Sequence, residues 1–251
     1  MSKLKGKVAV VTGGARDIGR SISLQLAAEG ANVVINYNSS ASKAEETKKM
    51  IDDAGGSCTI VQADLTKMAG VQKLKEATVA AYGNEVHVLV NNTGGIVARK
   101  NTGEVDEEFF DLLIDLNYKS TFFVTQSIVP LMNKGASIIN LSSLAARNGG
   151  GGGAALYAAS KGAITTLTRG WAKEFGPQGI RVNAVAPGMI ATKFHDDFTP
   201  DEIRTNVAGM TPLRREGSAD DVADLVVYLA TDKSAYITGT NIDINGGLAF
   251  S

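Results

Sequence analysis

Short apolar runs rich in β-branched residues recur along the chain: KVAVVT at 7–12, NVVINY at 32–37, CTIVQA at 58–63, VHVLVN at 86–91, SIINLS at 137–142, IRVNAV at 180–185 and NIDI at 241–244. Each has the length of a strand. Runs such as VAVV and VHVLV are apolar almost throughout, as strands covered on both faces should be. Helical patterns fill the intervals, at roughly 18–29, 41–54, 67–82, 106–133, 156–175 and 219–231. Strand and helix in regular succession predict βαβ crossovers, and so a parallel sheet, because parallel neighbours need a long connection. The expectation is an α/β protein with a doubly wound, seven-stranded parallel sheet. No fixed-period repeat or long linker appears, so residues 1–251 are expected to form a single domain.

Composition narrows the partners. A chain of 251 residues with 44% hydrophobic residues can bury a large core. A net charge of −1 gives no basic excess with which to hold nucleic acid or an anionic membrane, so a small molecule is the expected partner. No apolar run reaches the roughly eighteen residues of a membrane span, and MSKLKGK leads directly into the first strand. The cytoplasm is the expected location. The single cysteine, Cys58, excludes an internal disulfide and reads as a buried, inert thiol. His87 in a strand and His195 in a loop read as structural residues, and no metal site is expected. The low-complexity stretch NGGGGG at 148–153 is too short for a domain linker; it reads either as a flexible loop or as one whose backbone passes close to a ligand.

Chemistry enters at VTGGARDIGRSIS, residues 11–23, which reads as a strand end, a glycine turn and a helix start. Gly13 and Gly19 frame a backbone able to lie against an anionic ligand. Such a turn alone is weak. Thr12 to Gly19 resembles the TGxxxGxG turn of the short-chain dehydrogenase/reductase family, with Asp17 replacing the middle glycine. Further matches follow in the family's order: Asp64 in ADLT, NNTG at 91–94, Asn117 in LNYKSTFF, Ser143 in NLSSLAARN, YAASK at 157–161 and PGMIAT at 187–192. The resemblance spans about residues 6–248 and is closest to 3-oxoacyl-carrier-protein reductase-like members. It implies a Rossmann sheet and a homotetramer. The long helical patterns at 106–133 and 156–175 carry more apolar and small residues than one sheet face needs, which also points to assembly.

Tyr157 and Lys161 are four apart in a helical stretch and so share a face. An ammonium beside a phenol is expected to favour the phenolate and bring tyrosine toward the range useful for proton transfer. Reduction of a ketone needs a proton donor, a polarising group and a hydride from nicotinamide. On the resemblance, Tyr157 is the general acid, Ser143 hydrogen-bonds the carbonyl, Lys161 holds the nicotinamide ribose while tuning Tyr157, and Asn117 anchors a water relay. Alignment of SIINLSS with the family selects Ser143 over Ser142, with the glycine run absorbing one extra residue and forming the rim of the pocket.

The second strand ends in VVINYNSS, without the acid that NAD-preferring proteins use for the ribose 2′-hydroxyl. Tyr37 fills that slot, Asn38, Ser39 and Ser40 can donate to a phosphate, and Arg16 offers a cation, so NADP(H) is preferred with NAD(H) possible. By resemblance, Gly13, Asp17, Ile18 and Gly19 form the turn, Asp64 and Leu65 meet adenine, and Asn91, Thr93 and Gly94 line the ribose and nicotinamide. Pro187, Gly188, Ile190 and Thr192 belong to the motif that contacts the nicotinamide side, and 193–215 resembles a substrate lid. Asp17 is expected to cap the helix beginning near Ile18, flanked by Arg16 and Arg20. The preferred function is NADPH-dependent reduction of a ketone to a secondary alcohol, as in 3-oxoacyl-carrier-protein reductases. Lys134 keeps a charge where carrier-using relatives present basic residues, but Gln178 supplies none, which leaves a sugar, sugar-acid or polyol oxidoreductase as the alternative. A non-catalytic nucleotide-sensing protein of the same fold is the alternative of another class.

Overall fold

The computed structural model describes residues 3–192 and 200–250. Strands β1 Val8–Val11, β2 Asn32–Tyr37, β3 Ser57–Gln62, β4 Val86–Asn91, β5 Met132–Leu141, β6 Arg181–Pro187 and β7 Asn241–Ile244 form one sheet in the order β3-β2-β1-β4-β5-β6-β7. Every neighbouring pair is parallel. The helices are α1 Asp17–Ala28, α2 Ala41–Asp53, α3 Met68–Tyr82, α4 Glu107–Ile114, α5 Ser120–Ile128, the short α6 Ala145–Asn148, α7 Ala155–Phe175, α8 Asp201–Met210 and α9 Ala219–Ala230.

The continuous apolar strands follow from burial on two sides. Successive residues point to opposite faces, so Ala9 and Val11 pack with Ile22 and Leu26 of α1, Ile51 of α2 and Val226 of α9. Val8 and Val10 face the other way, toward Leu74 of α3, Val124 and Ile128 of α5, and Trp171 of α7. The chain winds outward from β1 to β3, then crosses back to β4. That reversal, between β1 and β4, is the topological switch point, and the carboxyl ends of the strands there are the usual ligand site of such sheets.

Two expectations about elements need correction. The helical pattern at 106–133 is α4, a π-helical turn at Asp115–Lys119, α5 and a short turn ending at Leu131. Strand β5 then begins at Met132 rather than Ser137, because Met132 pairs with Val86 before a shift in register, while the exposed Asn133, Lys134 and Gly135 hide the strand from an apolar pattern. Within the expected lid, residues 200–215 contain α8, a helix the pattern did not reveal; residues 193–199, including His195, lie outside the described residues. Cys58 is buried, and burial pushes its thiol up to about 11. The His87 ring accepts a hydrogen bond from the Val8 amide through Nδ1 at 3.1 Å, a structural use. Among the described residues, no helix is long and apolar enough to cross a membrane.

Candidate active site

The glycine turn after β1 is shaped by contacts with the NNTG segment after β4. Gly13 has φ 60°, and a Cβ on Gly19 would lie 2.2 Å from the Gly13 carbonyl oxygen and 2.6 Å from Asn92 Nδ2, so no larger residue fits there. Asn92 Nδ2 donates to the carbonyls of Thr12 and Gly13, both at 3.0 Å, and Thr12 Oγ1 accepts from the amides of Asn92 and Thr93. Asn36 Oδ1 accepts from the Gly13 amide at 3.3 Å. Asn36 was not among the residues expected to build the site, and Thr12 and Asn92 stood only within the glycine-turn and NNTG motifs, without roles of their own. Asn91 needs the opposite correction: its Nδ2 donates to Asn140 Oδ1 and Thr125 Oγ1 in the interior, so its side chain turns away from the glycine turn.

Asp17 occupies the middle position with φ 49°, the left-handed region. This is why a glycine is the ordinary choice there, and why an aspartate can replace it: short Asp and Asn side chains tolerate that conformation better than others. The cap expectation fails, since α1 starts at Asp17 and the cap position belongs to Arg16, whose side chain makes no cap bond. The Asp17 carboxylate instead pairs with Arg16 Nη1 at 3.1 Å. Arg20 does not flank it as expected; its guanidinium reaches α2, donating to Glu46 and to Thr47 Oγ1.

The four expected catalytic side chains come from β5, the π turn and α7. Ser143 follows β5, and its hydroxyl lies beside the phenol of Tyr157, where it favours the phenolate. Its Oγ also accepts from the Ala145 amide at 3.1 Å. Ser142 is turned inward, where its Oγ donates to the Lys161 carbonyl or Thr165 Oγ1. Lys161 is buried below the tyrosine, Nζ lying 6.0 Å from the centre of the ring and donating to the Leu141 carbonyl at 2.7 Å. Asn117 is fully buried on the π turn; its side chain accepts from the Gly95 amide and donates to the carbonyls of Gly95 and Leu113. A Cβ on Gly94 would sit 2.6 Å from Asn117 Oδ1 and 2.9 Å from Lys161 Nζ, so these groups converge on one bare stretch of backbone. A π turn is a common device for aiming a side chain at a functional site.

The electrostatics differ from the sequence expectation. Tyr157 is held above its ordinary pKa, because burial disfavours the phenolate more than the Ser143 hydroxyl favours it. Lys161 is lowered to about 8 by its own burial. Both shifts favour neutral forms, and at neutral pH the tyrosine is protonated and the lysine still largely charged. The arrangement suits proton donation.

The remaining expected positions surround this centre in different ways. Arg16 is about half exposed, and Tyr37 lies at the end of β2 with its carbonyl accepting from the Ala63 amide. Asn38 uses its carbonyl to accept from Gln62. Ser39 is exposed at the bend after β2. Asp64 closes its own turn, Oδ1 accepting from Thr66 N and Oγ1, and Leu65 is buried in the core. Ile18 is partly buried against the core, and Thr93 Oγ1 is a buried atom with no partner among the described residues. Pro187 ends β6; the Gly188 amide donates to the Ile244 carbonyl, Ile190 is buried, and Thr192 Oγ1 donates to the Ile190 carbonyl. The glycine loop packs against residues 99–100: Arg99 Nη1 donates to the Gly152 carbonyl and the Lys100 amide to that of Gly153. A dinucleotide fits the site on physical grounds: bare backbone at Gly13 and Gly94, the amino end of α1 beside the turn, and the unpartnered Thr93 hydroxyl.

Comparison with known proteins agrees with this geometry. The family model described as enoyl-(acyl carrier protein) reductase matches residues 13–249. A 3-oxoacyl-[acyl-carrier-protein] reductase of Staphylococcus epidermidis is 39% identical over 96% of this chain and 98% of its own. Among solved structures, a short-chain dehydrogenase/reductase from Serratia marcescens superposes with a TM-score of 0.93 at 35% identity, covering 99% of this chain and 100% of that one. A short-chain dehydrogenase from Burkholderia cenocepacia in complex with NADP gives 0.90 at 31%, covering 98% and 99%. An NADH-dependent reductase responsible for alginate metabolism gives 0.91 at 34%, covering 100% of each chain.

Proposed function

Since the chain belongs to the short-chain dehydrogenase/reductase family and is an NAD(P)-dependent oxidoreductase, we propose that it reduces a ketone to a secondary alcohol with NADPH, as a cytoplasmic homotetramer of single-domain subunits. The observation that carries the reading is the placement of the Ser143 hydroxyl beside the Tyr157 phenol, with Lys161 buried against the same ring. Ser143 orients and polarises the carbonyl oxygen, and Tyr157 gives up its proton as that oxygen gains charge. Lys161 holds the ribose hydroxyls and offsets the negative charge left on Tyr157. Asn117 fixes the backbone at Gly95 and, with the residues around it, anchors the water path that reprotonates the site. The nicotinamide supplies the hydride when bound. Gly13, Ile18 and Gly19 would hold the pyrophosphate side, Asp64 and Leu65 the adenine, and Thr93, Gly94, Pro187, Gly188, Ile190 and Thr192 the nicotinamide side, with 193–215 as the lid.

A 3-oxoacyl group is the substrate class we favour, in line with the Staphylococcus epidermidis relative. A sugar or sugar-acid substrate is the second reading, favoured by the likeness to the alginate-metabolism reductase and by the uncharged Gln178. Loss of NADPH absorbance across 3-oxoacyl thioesters and keto-sugars tests both: turnover of thioesters alone supports the first, and turnover of keto-sugars alone replaces it with the second. Tyr157→Phe should lower kcat at least about a hundredfold with NADPH affinity nearly unchanged. Activity within about threefold of wild type would mean that another group is the acid.

The cofactor preference has its own test. Tyr37, Asn38, Ser39 and Arg16 offer donors and a cation where an acid would repel the 2′-phosphate. Tyr37→Asp should therefore shift the ratio of kcat/KM values toward NADH. A wild-type enzyme that already prefers NADH would overturn the NADPH assignment.

A further inference from the structure

We propose that Thr165 is a positioning residue: its hydroxyl ties the strand carrying Ser143 to the helix carrying Tyr157 and Lys161, and so sets the distance between the reacting groups. The inference rests on the roles given above to those three residues. Along the chain Ser143 and Tyr157 are joined through α6 and the run Gly149–Gly153, a roundabout path held by Arg147 on Asp243 and by residues 99–100 on the glycine loop. The direct route between the two elements is the contact between the end of β5 and α7.

Those contacts are polar and buried. Thr165 Oγ1 and Ser142 Oγ are 2.9 Å apart, the Lys161 carbonyl lies 3.1 Å from Ser142 Oγ and 3.2 Å from Thr165 Oγ1, and Asn241 Nδ2 of β7 donates to Thr165 Oγ1 at 3.1 Å. Each hydroxyl has one proton. Whether Ser142 donates to Thr165 or Thr165 to Ser142, the Lys161 carbonyl receives the other proton and Thr165 remains the junction of β5, β7 and α7. Two residues earlier on β5, Asn140 Nδ2 donates to Thr168 Oγ1 at 2.9 Å. Lys161, Thr165 and Thr168 thus form a polar stripe on the face with which α7 meets the sheet, where a helix ordinarily presents aliphatic side chains. Apolar contact is not directional, whereas a buried hydroxyl must keep its partners or lose their hydrogen-bond energy. Asn241 is held here although its Oδ1 has no partner among the described residues, so the position retains its donor despite an unsatisfied acceptor.

The test compares Thr165→Val, which keeps shape and removes the hydroxyl, with Thr165→Ser, which keeps the hydroxyl. Two readouts are taken: kcat and KM on the best ketone, and the ultraviolet titration of Tyr157, isolated by subtracting the same variant carrying Tyr157→Phe. Thr165→Val should lower kcat about tenfold or more with KM within about threefold. It should also move the Tyr157 titration upward, because the phenol loses its Ser143 partner. Thr165→Ser should restore both. A folded Thr165→Val enzyme with wild-type kcat and an unmoved or lowered titration overturns the proposal, as does failure of Thr165→Ser to restore them. If Thr165→Val does not fold, Ser142→Ala cuts the same tie from the strand and is judged identically. If the wild type turns over no carbonyl compound, the assigned activity fails, and the titration alone still decides the role of Thr165.

Discussion

At the scale of single residues, Asp17 shows how a motif can be matched in form and misread in cause. A carboxylate at the start of a helix reads as a cap, yet the backbone there has φ 49°, so the position selects for a left-handed conformation. Its exposed pair with Arg16 contributes little in water. Asp17→Gly should therefore leave stability unchanged or raise it by up to about 1 kcal/mol, as relief of the left-handed strain competes with the greater chain entropy of glycine. Asp17→Val should lower it by more than about 1 kcal/mol, since a β-branched residue is a poor occupant of that region. Thermal unfolding checks the order; a glycine variant less stable than wild type would restore the capping role. Lys161 gives a second residue-scale expectation. Its pKa of about 8 means that the free enzyme loses this charge as pH rises past that value, while a ribose held by the charged form would raise its pKa. NADPH affinity should thus be constant below about pH 7 and weaken as pH rises through and beyond about 8. Calorimetric titration of wild type against Lys161→Met measures it, and an equal pH dependence in the variant would assign the effect to another group.

At the scale of elements, legibility followed the physics of each segment. Buried parallel strands must be apolar on both faces, so β1, β2, β3, β4, β6 and β7 stand out in the sequence to within a residue or two. The start of β5 does not, because Asn133, Lys134 and Gly135 are exposed and lie at the shift in register between β4 and β5. The π turn at Asp115–Lys119 is equally silent: one extra residue in a helical turn leaves the apolar period nearly intact. Tyr157 and Lys161 were readable from their spacing, but the raised pKa of the tyrosine was not, since desolvation depends on what the fold places above the ring. Asn91 and Asn92 show the same limit, adjacent residues of one type facing the interior and the glycine turn respectively. The π turn carries its own prediction. Asn117 satisfies the Gly95 amide and carbonyl together, so Asn117→Ala leaves two backbone groups to find other partners and should cost about 1–3 kcal/mol in urea unfolding. A loss below about 0.5 kcal/mol would mean that water replaces the side chain without penalty.

At the scale of the whole molecule, several of the large apolar residues left at the surface fall on two separate parts of the fold. Phe110 and Leu112 of α4 are each nearly half exposed, on the element that leads into α5. Tyr228 on α9, the fully exposed Tyr236 before β7 and Phe250 lie in a different region, with α9 packed on the opposite face of the sheet from α5. One self-complementary patch closes a dimer; two independent patches, each paired about its own two-fold axis, close a tetramer with no exposed repeat. The expected species at micromolar concentration is therefore a tetramer by light scattering. Phe110→Glu with Leu112→Glu places charges in one patch only, so it should halve the mass to that of a dimer while the patch around Tyr228 and Tyr236 still pairs. A wild-type monomer would reject assembly through these surfaces. A double variant that falls directly to monomer would show that α4 supports both contacts, and the second axis would have to be sought away from β7.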